Sequence, residues 1–222
     1  LEDQTIEQTS ILKNVCKKSV TLPVGEGYLV EWETRRLVSD ALLELNHHGS
    51  GPVHINVPIQ TINRFPPPSQ DLKLIKLRKI SRVTLEDSQD IWGNVSKKLK
   101  SYKRILVIYG QNHPLIDEER EAVESFQKRY NCVFITDHLS NFRNDDTILS
   151  FPLLLQCSQE TFNNLLYPDL VITVGGRRVS NDPILYKLRG CNKNIEHWRV
   201  AEDGLVADPF RRLSVVFECS QK

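Results

Sequence analysis

A chain of 222 residues makes about one and a half domains of ordinary size, room for one complete core and part of a second. Lys and Arg number 29 against 28 Asp and Glu, a net charge of +1, and that balance argues against a dedicated nucleic-acid binder, which carries a basic excess on one face. A hydrophobic fraction of 40% excludes wholesale disorder, and no apolar run approaches the roughly 18 residues of a membrane span, so the sequence predicts a soluble protein.

Residues 28–45 place Trp32, Leu37, Val38, Ala41, Leu42 and Leu45 at helical spacing, with Arg35, Arg36, Asp40 and Glu44 on the other face. Asn46 to Gly51 break that helix, and residues 52–58 (PVHINVP) alternate as a short strand bracketed by prolines. Helix, glycine break and strand together read as the closing unit of an α/β domain. Residues 59–82 differ in kind. Three consecutive prolines, Pro66 to Pro68, favour extended polyproline II, and a basic stretch through Lys73, Lys76, Arg78, Lys79 and Arg82 follows. This is the linker, and its basic residues lack the interleaved aromatics of a base-stacking surface.

From there the pattern is regular. Helices are expected over 86–102, 117–130, 161–166 and 183–188, and strands over 104–109, 132–136, 169–174, 195–200 and 213–217. Continuous apolar strands alternating with helices predict an α/β, Rossmann-like, doubly wound parallel sheet, preceded by the C-terminal end of a second α/β domain.

Ligands of open parallel sheets sit beyond the carboxyl ends of the strands. The loops in that position are 110–114 (GQNHP), 137–141 (DHLSN) and 175–178 (GGRR). None is a GxGxxG or GxxxxGK[ST] phosphate loop. Gly175 and Gly176 with two arginines could hold an anion through backbone N–H groups; a tight strand-to-helix turn is the plainer reading. The six histidines have no metal spacing, and His54, inside a strand, reads as structural rather than catalytic. No GxSxG elbow is present. The cysteines, Cys16, Cys132, Cys157, Cys191 and Cys219, are odd in number, widely spaced and without a CxxC pair, which predicts reduced thiols of a cytoplasmic protein. The chain begins at Leu1 and holds no Met, and it reads as a segment of something longer.

At Gly51 to Pro58 (GPVHINVP) the sequence resembles the segment that closes the first domain of thiamine-diphosphate-dependent enzymes of the pyruvate oxidase and acetolactate synthase type. Finer resemblance lies in Asp3 to Gln8 (DQTIEQ), Lys18 to Pro23, Asp137 to Phe142, Asp169 to Gly176 and Glu196 to Val200 (EHWRV), with Asp203-Gly204 and Asp208-Pro209 after it. These are similar to the 2-succinyl-5-enolpyruvyl-6-hydroxy-3-cyclohexene-1-carboxylate synthase family of menaquinone biosynthesis. The resemblance implies domains at 1–58 (end of the pyrimidine-binding domain), 59–82 (linker) and 83–222 (Rossmann-like central domain). It implies a parent transferase, cytoplasmic and homo-oligomeric, that uses thiamine diphosphate and Mg²⁺ to decarboxylate 2-oxoglutarate and add the succinyl-semialdehyde carbanion to isochorismate. Of that family's substrate contacts only Gln4 carries over, as a contact to substrate or to the cofactor-bound intermediate, because Asp3 stands where the family has Asn. The catalytic glutamate and the GDG…N magnesium motif are expected outside this chain, so no catalytic or metal-binding residue is assigned in it and no cofactor is expected bound to it. A related decarboxylase or carboligase of the acetolactate synthase type, and a ligand-sensing Rossmann module, are the alternatives.

Overall fold

The computed structural model describes residues 9, 11–58, 78–149, 156–176 and 183–220. Gln4, Asp3, the proline run and Arg177-Arg178 lie outside the described residues. The chain divides into two compact units, Leu1–Ile80 and Ser81–Lys222. Each is described by itself.

The first unit pairs β1 (Lys18–Thr21) in parallel with β2 (Val53–Asn56), joined through α1 (Tyr28–Glu44). Val20 on β1, Ala41 on α1 and Ile80 at its end are its buried apolar residues among those described. Asp40, also buried, is held at 2.9 Å by Lys18. The helix stops where the sequence turns to Asn, His and Gly: His48 and Gly49 take positive φ of 50° and 103°, and the Gly51 N–H closes onto the Leu45 carbonyl at 2.9 Å. Both strands place their next polar side chains together, and Ser19 Oγ meets His54 Nδ1 at 3.0 Å, a structural use of that histidine. Two strands alone are marginal in water.

The second unit is a seven-stranded, all-parallel sheet in the order β3-β9-β8-β7-β4-β5-β6. Its strands are β3 (Ser81–Thr84), β4 (Ile105–Tyr109), β5 (Val133–Ile135), β6 (Thr147–Ile148), β7 (Leu170–Val174), β8 (Glu196–Val200) and β9 (Leu213–Glu218). Every residue of β4 is buried, as a strand covered on both faces requires. Alternate side chains feed two cores. Val107, Tyr109, Ile172, Trp198 and Phe217 pack with α2 (Gln89–Ser101) and α3 (Asp117–Tyr130) on one face. Leu106, Ile108, Ile135 and Val171 pack with Phe162 and with Ile184 and Leu188 of the helix Pro183–Arg189 on the other.

Three details depart from the sequence expectations. Ser81 and Arg82, expected as the end of the linker, open β3. The expected helix over 161–166 is one α-helical turn, Gln159–Thr161, continued by a π-helical turn, Phe162–Leu166. Short strands β1, β3 and β6 carry no continuous apolar run, so periodicity does not mark them.

One charge cluster fixes the β8 edge of α2. Glu196 is partly buried, which opposes its ionisation, yet hydrogen bonds hold its carboxyl below the ordinary range, from Lys98 (2.7 Å) first and from Ser214 (3.1 Å). A carboxyl depressed in the folded state stabilises it above its unfolded value, and the contribution disappears as pH falls through the folded value. The stability difference between the chain and Glu196→Gln is therefore expected at pH 7 and expected to close below about pH 4, as read by urea unfolding at the two pH values.

Candidate functional site

Leaving β3 aside, the order β6-β5-β4-β7-β8-β9 is the 3-2-1-4-5-6 order of dinucleotide-binding sheets, and the strand order reverses between β4 and β7. A cleft of about 290 Å³ lies there. Asn112 and His113 line it from the loop after β4, Gly175 and Gly176 from the loop after β7, Arg199, Glu202 and Asp203 from β8 and its loop, and Cys219 and Ser220 from the end of β9. The topology thus puts two of the three strand-end loops, 110–114 and 175–176, on one cleft.

What the loops do there is bind one another. The Gly110 N–H donates to Val174 O (2.8 Å), and the Gly176 N–H donates to Gln111 O (2.7 Å). The backbones approach so closely that a Cβ on Gly110 would lie 2.1 Å from the Gly176 carbonyl oxygen. Gly175 takes φ +76°, and a Cβ there would meet Gln111 O at 2.7 Å. These glycines serve a close approach, and the Gly176 amide is not available to an anion. The third loop joins the same network: Asn112 N–H donates to Leu139 O (3.1 Å), Asn141 Nδ2 to Asn112 O (2.6 Å) and the Ser140 hydroxyl to Tyr109 O (2.7 Å).

Electrostatics also argue against a diphosphate. In sheets of this order it sits at the N-terminus of the helix after the first strand, which here is α3. That first turn carries Asp117, Glu118 and Glu119. The Glu119 carboxylate already accepts from the Ile116 N–H at 3.1 Å and lies 3.4 Å from His113 Nε2. Three carboxylates at the anion position repel the group the topology would otherwise receive.

The sequence 202–204 (EDG) looks like part of a magnesium-diphosphate loop but lacks the form of that motif, and its geometry serves another use. Arg199 grips both Asp203 oxygens, at 2.5 and 2.9 Å, and the Leu205 N–H donates to Oδ1 at 3.0 Å. The guanidinium holds the Asp203 carboxyl below its ordinary range, against the partial burial that would raise it. Both oxygens are committed, the loop is braced by Arg82 Nε on Gly204 O (3.0 Å), and this loop does not fit a magnesium-diphosphate site.

The thiol that lines the cleft, Cys219, is not activated, nor is the buried Cys132 thiol elsewhere in the unit. Burial pushes the Cys132 thiol up to about 12, and burial, then the Glu202 charge, raises Cys219. A thiolate is the reactive form, so neither favours covalent chemistry at neutral pH. The arrangement that sequence reasoning missed is Thr173, His197 and Asp208. Thr173 Oγ1 meets His197 Nε2 at 2.9 Å, Asp208 Oδ1 lies 3.8 Å from Nδ1, and both His197 and Asp208 side chains are fully buried. Hydroxyl, imidazole and carboxylate stand in the order of a catalytic triad, but the imidazole is sealed between strands with Phe210 packed edge-on at 5.0 Å. It ties β7, β8 and the loop before β9 together. No local spacing signals it, because Thr173 and His197 are 24 residues apart.

Among the described residues no helix is long and apolar enough to cross a membrane. No family model matches the chain. Among curated proteins it is 33% identical to the 2-succinyl-5-enolpyruvyl-6-hydroxy-3-cyclohexene-1-carboxylate synthase of Bacteroides thetaiotaomicron over 218 residues, which is 97% of this chain and 38% of that protein. The synthase of the same name from Bacteroides fragilis is 34% identical over 214 residues, 95% of this chain and 37% of its own length. That from Bacillus velezensis is 29% identical over 229 residues, 97% and 38%. The chain therefore spans under two fifths of the length of these relatives. A solved structure described as that of a putative thiamin diphosphate-dependent enzyme from Mycobacterium smegmatis shares 12% identity, covering 94% of this chain and 38% of its own, at a TM-score of 0.34. Across nearly its whole length, the chain belongs to the family of the 2-succinyl-5-enolpyruvyl-6-hydroxy-3-cyclohexene-1-carboxylate synthases.

Proposed function

We propose that this chain is an internal segment of a cytoplasmic, thiamine-diphosphate- and Mg²⁺-dependent carboligase. That parent decarboxylates 2-oxoglutarate and joins the four-carbon carbanion to isochorismate, as a homo-oligomer. In this reading residues 1–58 end its pyrimidine-binding domain, 59–82 link, and 83–222 form a central domain that spaces the cofactor domains and supports assembly. Gln4 contacts the substrate or the cofactor-bound intermediate through its amide. The observation that carries the reading is the match along 97% of the chain to a protein of that name, of which it makes up 38%.

The scaffold role is supported by how the strand-end loops are used. The Gly110, Asn112 and Gly176 amides are spent on neighbouring backbone carbonyls, Asp203 is committed to Arg199, and carboxylates occupy the α3 N-terminus. A ligand-sensing role for these loops, or a cofactor held by them, has no free donors among these groups to work with. Calorimetric titration of the chain with thiamine diphosphate and Mg²⁺ is accordingly expected to give no binding heat. Micromolar affinity would overturn the assignment of the cofactor site to regions outside this chain.

A further inference from the structure

On one face of the second unit the sheet is wider than its cover. Seven strands at about 4.8 Å spacing span roughly 29 Å, and α2 and α3, the helices packed on that face among the described residues, cover about 10 Å each. The shortfall is about 9 Å, close to the width of one more helix. It falls between the two, where a groove of about 450 Å³ has α2 on one side and α3 on the other. Trp92, Val95, Phe126, Val174, Val200 and Cys219 line it and are only partly buried, so they offer apolar surface above a floor that the strands have already sealed. Val174 and Val200 are the last residues of β7 and β8, and Cys219 and Ser220 follow β9 directly. The groove is therefore entered at the place where the chain leaves the sheet.

We propose that this groove seats an amphipathic helix formed by the polypeptide that follows Lys222 in the parent, as the third helix covering this face. The proposal rests on the reading of the chain as an internal segment, 38% of the length of its relative. Width, position and chemistry select this occupant. The gap has the width of a helix. A segment leaving β9 through Cys219 and Ser220 arrives at the mouth of the groove, just as α2 and α3 follow β3 and β4 in the chain and cover this same face. No Lys, Arg, His, Asp or Glu lines the groove, so a charge on the seated face would lose its hydration and meet no counter-charge. Running back along the five-residue strand β8, a rise of about 17 Å, takes about 11 residues of helix. The segment is accordingly expected to carry apolar residues at i, i+3, i+4 and i+7 and polar ones on the face turned to water.

The test compares the 222-residue chain with the same chain extended by about 20 residues of the parent, enough for one helix, and with a scrambled extension of equal composition. The native extension is expected to raise the melting temperature by about 5 °C or more and to lower the fluorescence of a bound apolar dye severalfold; the scrambled one is expected to do neither. Val95→Lys is expected to lower the melting temperature of the extended chain by several degrees and that of the 222-residue chain far less. An unchanged melting temperature, an equal gain from the scrambled extension, or equal losses from Val95→Lys in both chains would each overturn the proposal. So would a dimer of the 222-residue chain that persists with the extension and is lost in Val95→Lys, which would make a second copy the occupant, or toluene shifting the Val95 and Val200 methyl resonances of the extended chain, which would leave the groove to a small molecule. The readout is packing rather than activity, so a parent that forms no isochorismate adduct would contradict the assigned reaction and leave this result standing.

Discussion

Replacing Gly110 by alanine is expected to cost the second unit about 3 kcal/mol or more of stability, the upper range of what overpacking causes. The new methyl would sit 2.1 Å from the Gly176 carbonyl oxygen, and that oxygen belongs to backbone, so no rotamer change can clear it. The β4 and β7 loops must separate, and the Gly110–Val174 and Gly176–Gln111 hydrogen bonds lengthen together. Gly93 is the control. It lies inside α2 with nothing within 4 Å of an added Cβ, so Gly93→Ala is expected to stabilise by about 0.5–1 kcal/mol through helix propensity alone. Urea unfolding of the two variants separates a steric requirement from a general intolerance of change at glycine.

Asp208→Ala is expected to lose about 3 kcal/mol, and Asp208→Asn clearly less. Asp208 Oδ1 accepts the Arg212 and Leu213 N–H groups at 2.7 and 2.9 Å, and its side chain is fully buried beside His197. Alanine strands two donors where water does not reach, at about 1–3 kcal/mol for each buried group left unsatisfied. Asparagine keeps an oxygen for those donors and removes only the charge facing the imidazole. The loss in Asp208→Asn in urea unfolding therefore measures the charge, the further loss in Asp208→Ala measures the two stranded donors, and equal losses would contradict this account of the site.

How far the sequence reaches is clear from particular elements. The helix expected over 117–130 is α3 residue for residue, because Val123 and Phe126 mark its apolar face and Asn131 ends it in the left-handed conformation at φ 48°. Strands β4 (ILVIY) and β7 (LVITV) announce themselves by near-continuous apolar runs, since both sheet faces are covered. The strand β3 does not: in Ser-Arg-Val-Thr only Val83 is buried, and its place in the sheet comes from β9, whose partner residues lie 134 positions on (Ser81 to Val215). The glycine pair at 175–176 is legible as a turn. That it closes on Gln111, 65 residues earlier by number, is a tertiary fact that no local pattern carries. The same holds for Thr173, His197 and Asp208, which look like ordinary strand and loop residues until the sheet order sets them side by side. Gln4 lies outside the described residues, and its contact to substrate stays a proposal resting on the family resemblance.

The measurement that bears most directly on the central claim is made on the full-length parent. It is incubated with isochorismate, 2-oxoglutarate, thiamine diphosphate and Mg²⁺, and CO₂ release and the coupled product are followed together by mass spectrometry. The account predicts CO₂ release matched by the isochorismate adduct. Decarboxylation with no adduct, or neither product, would contradict it.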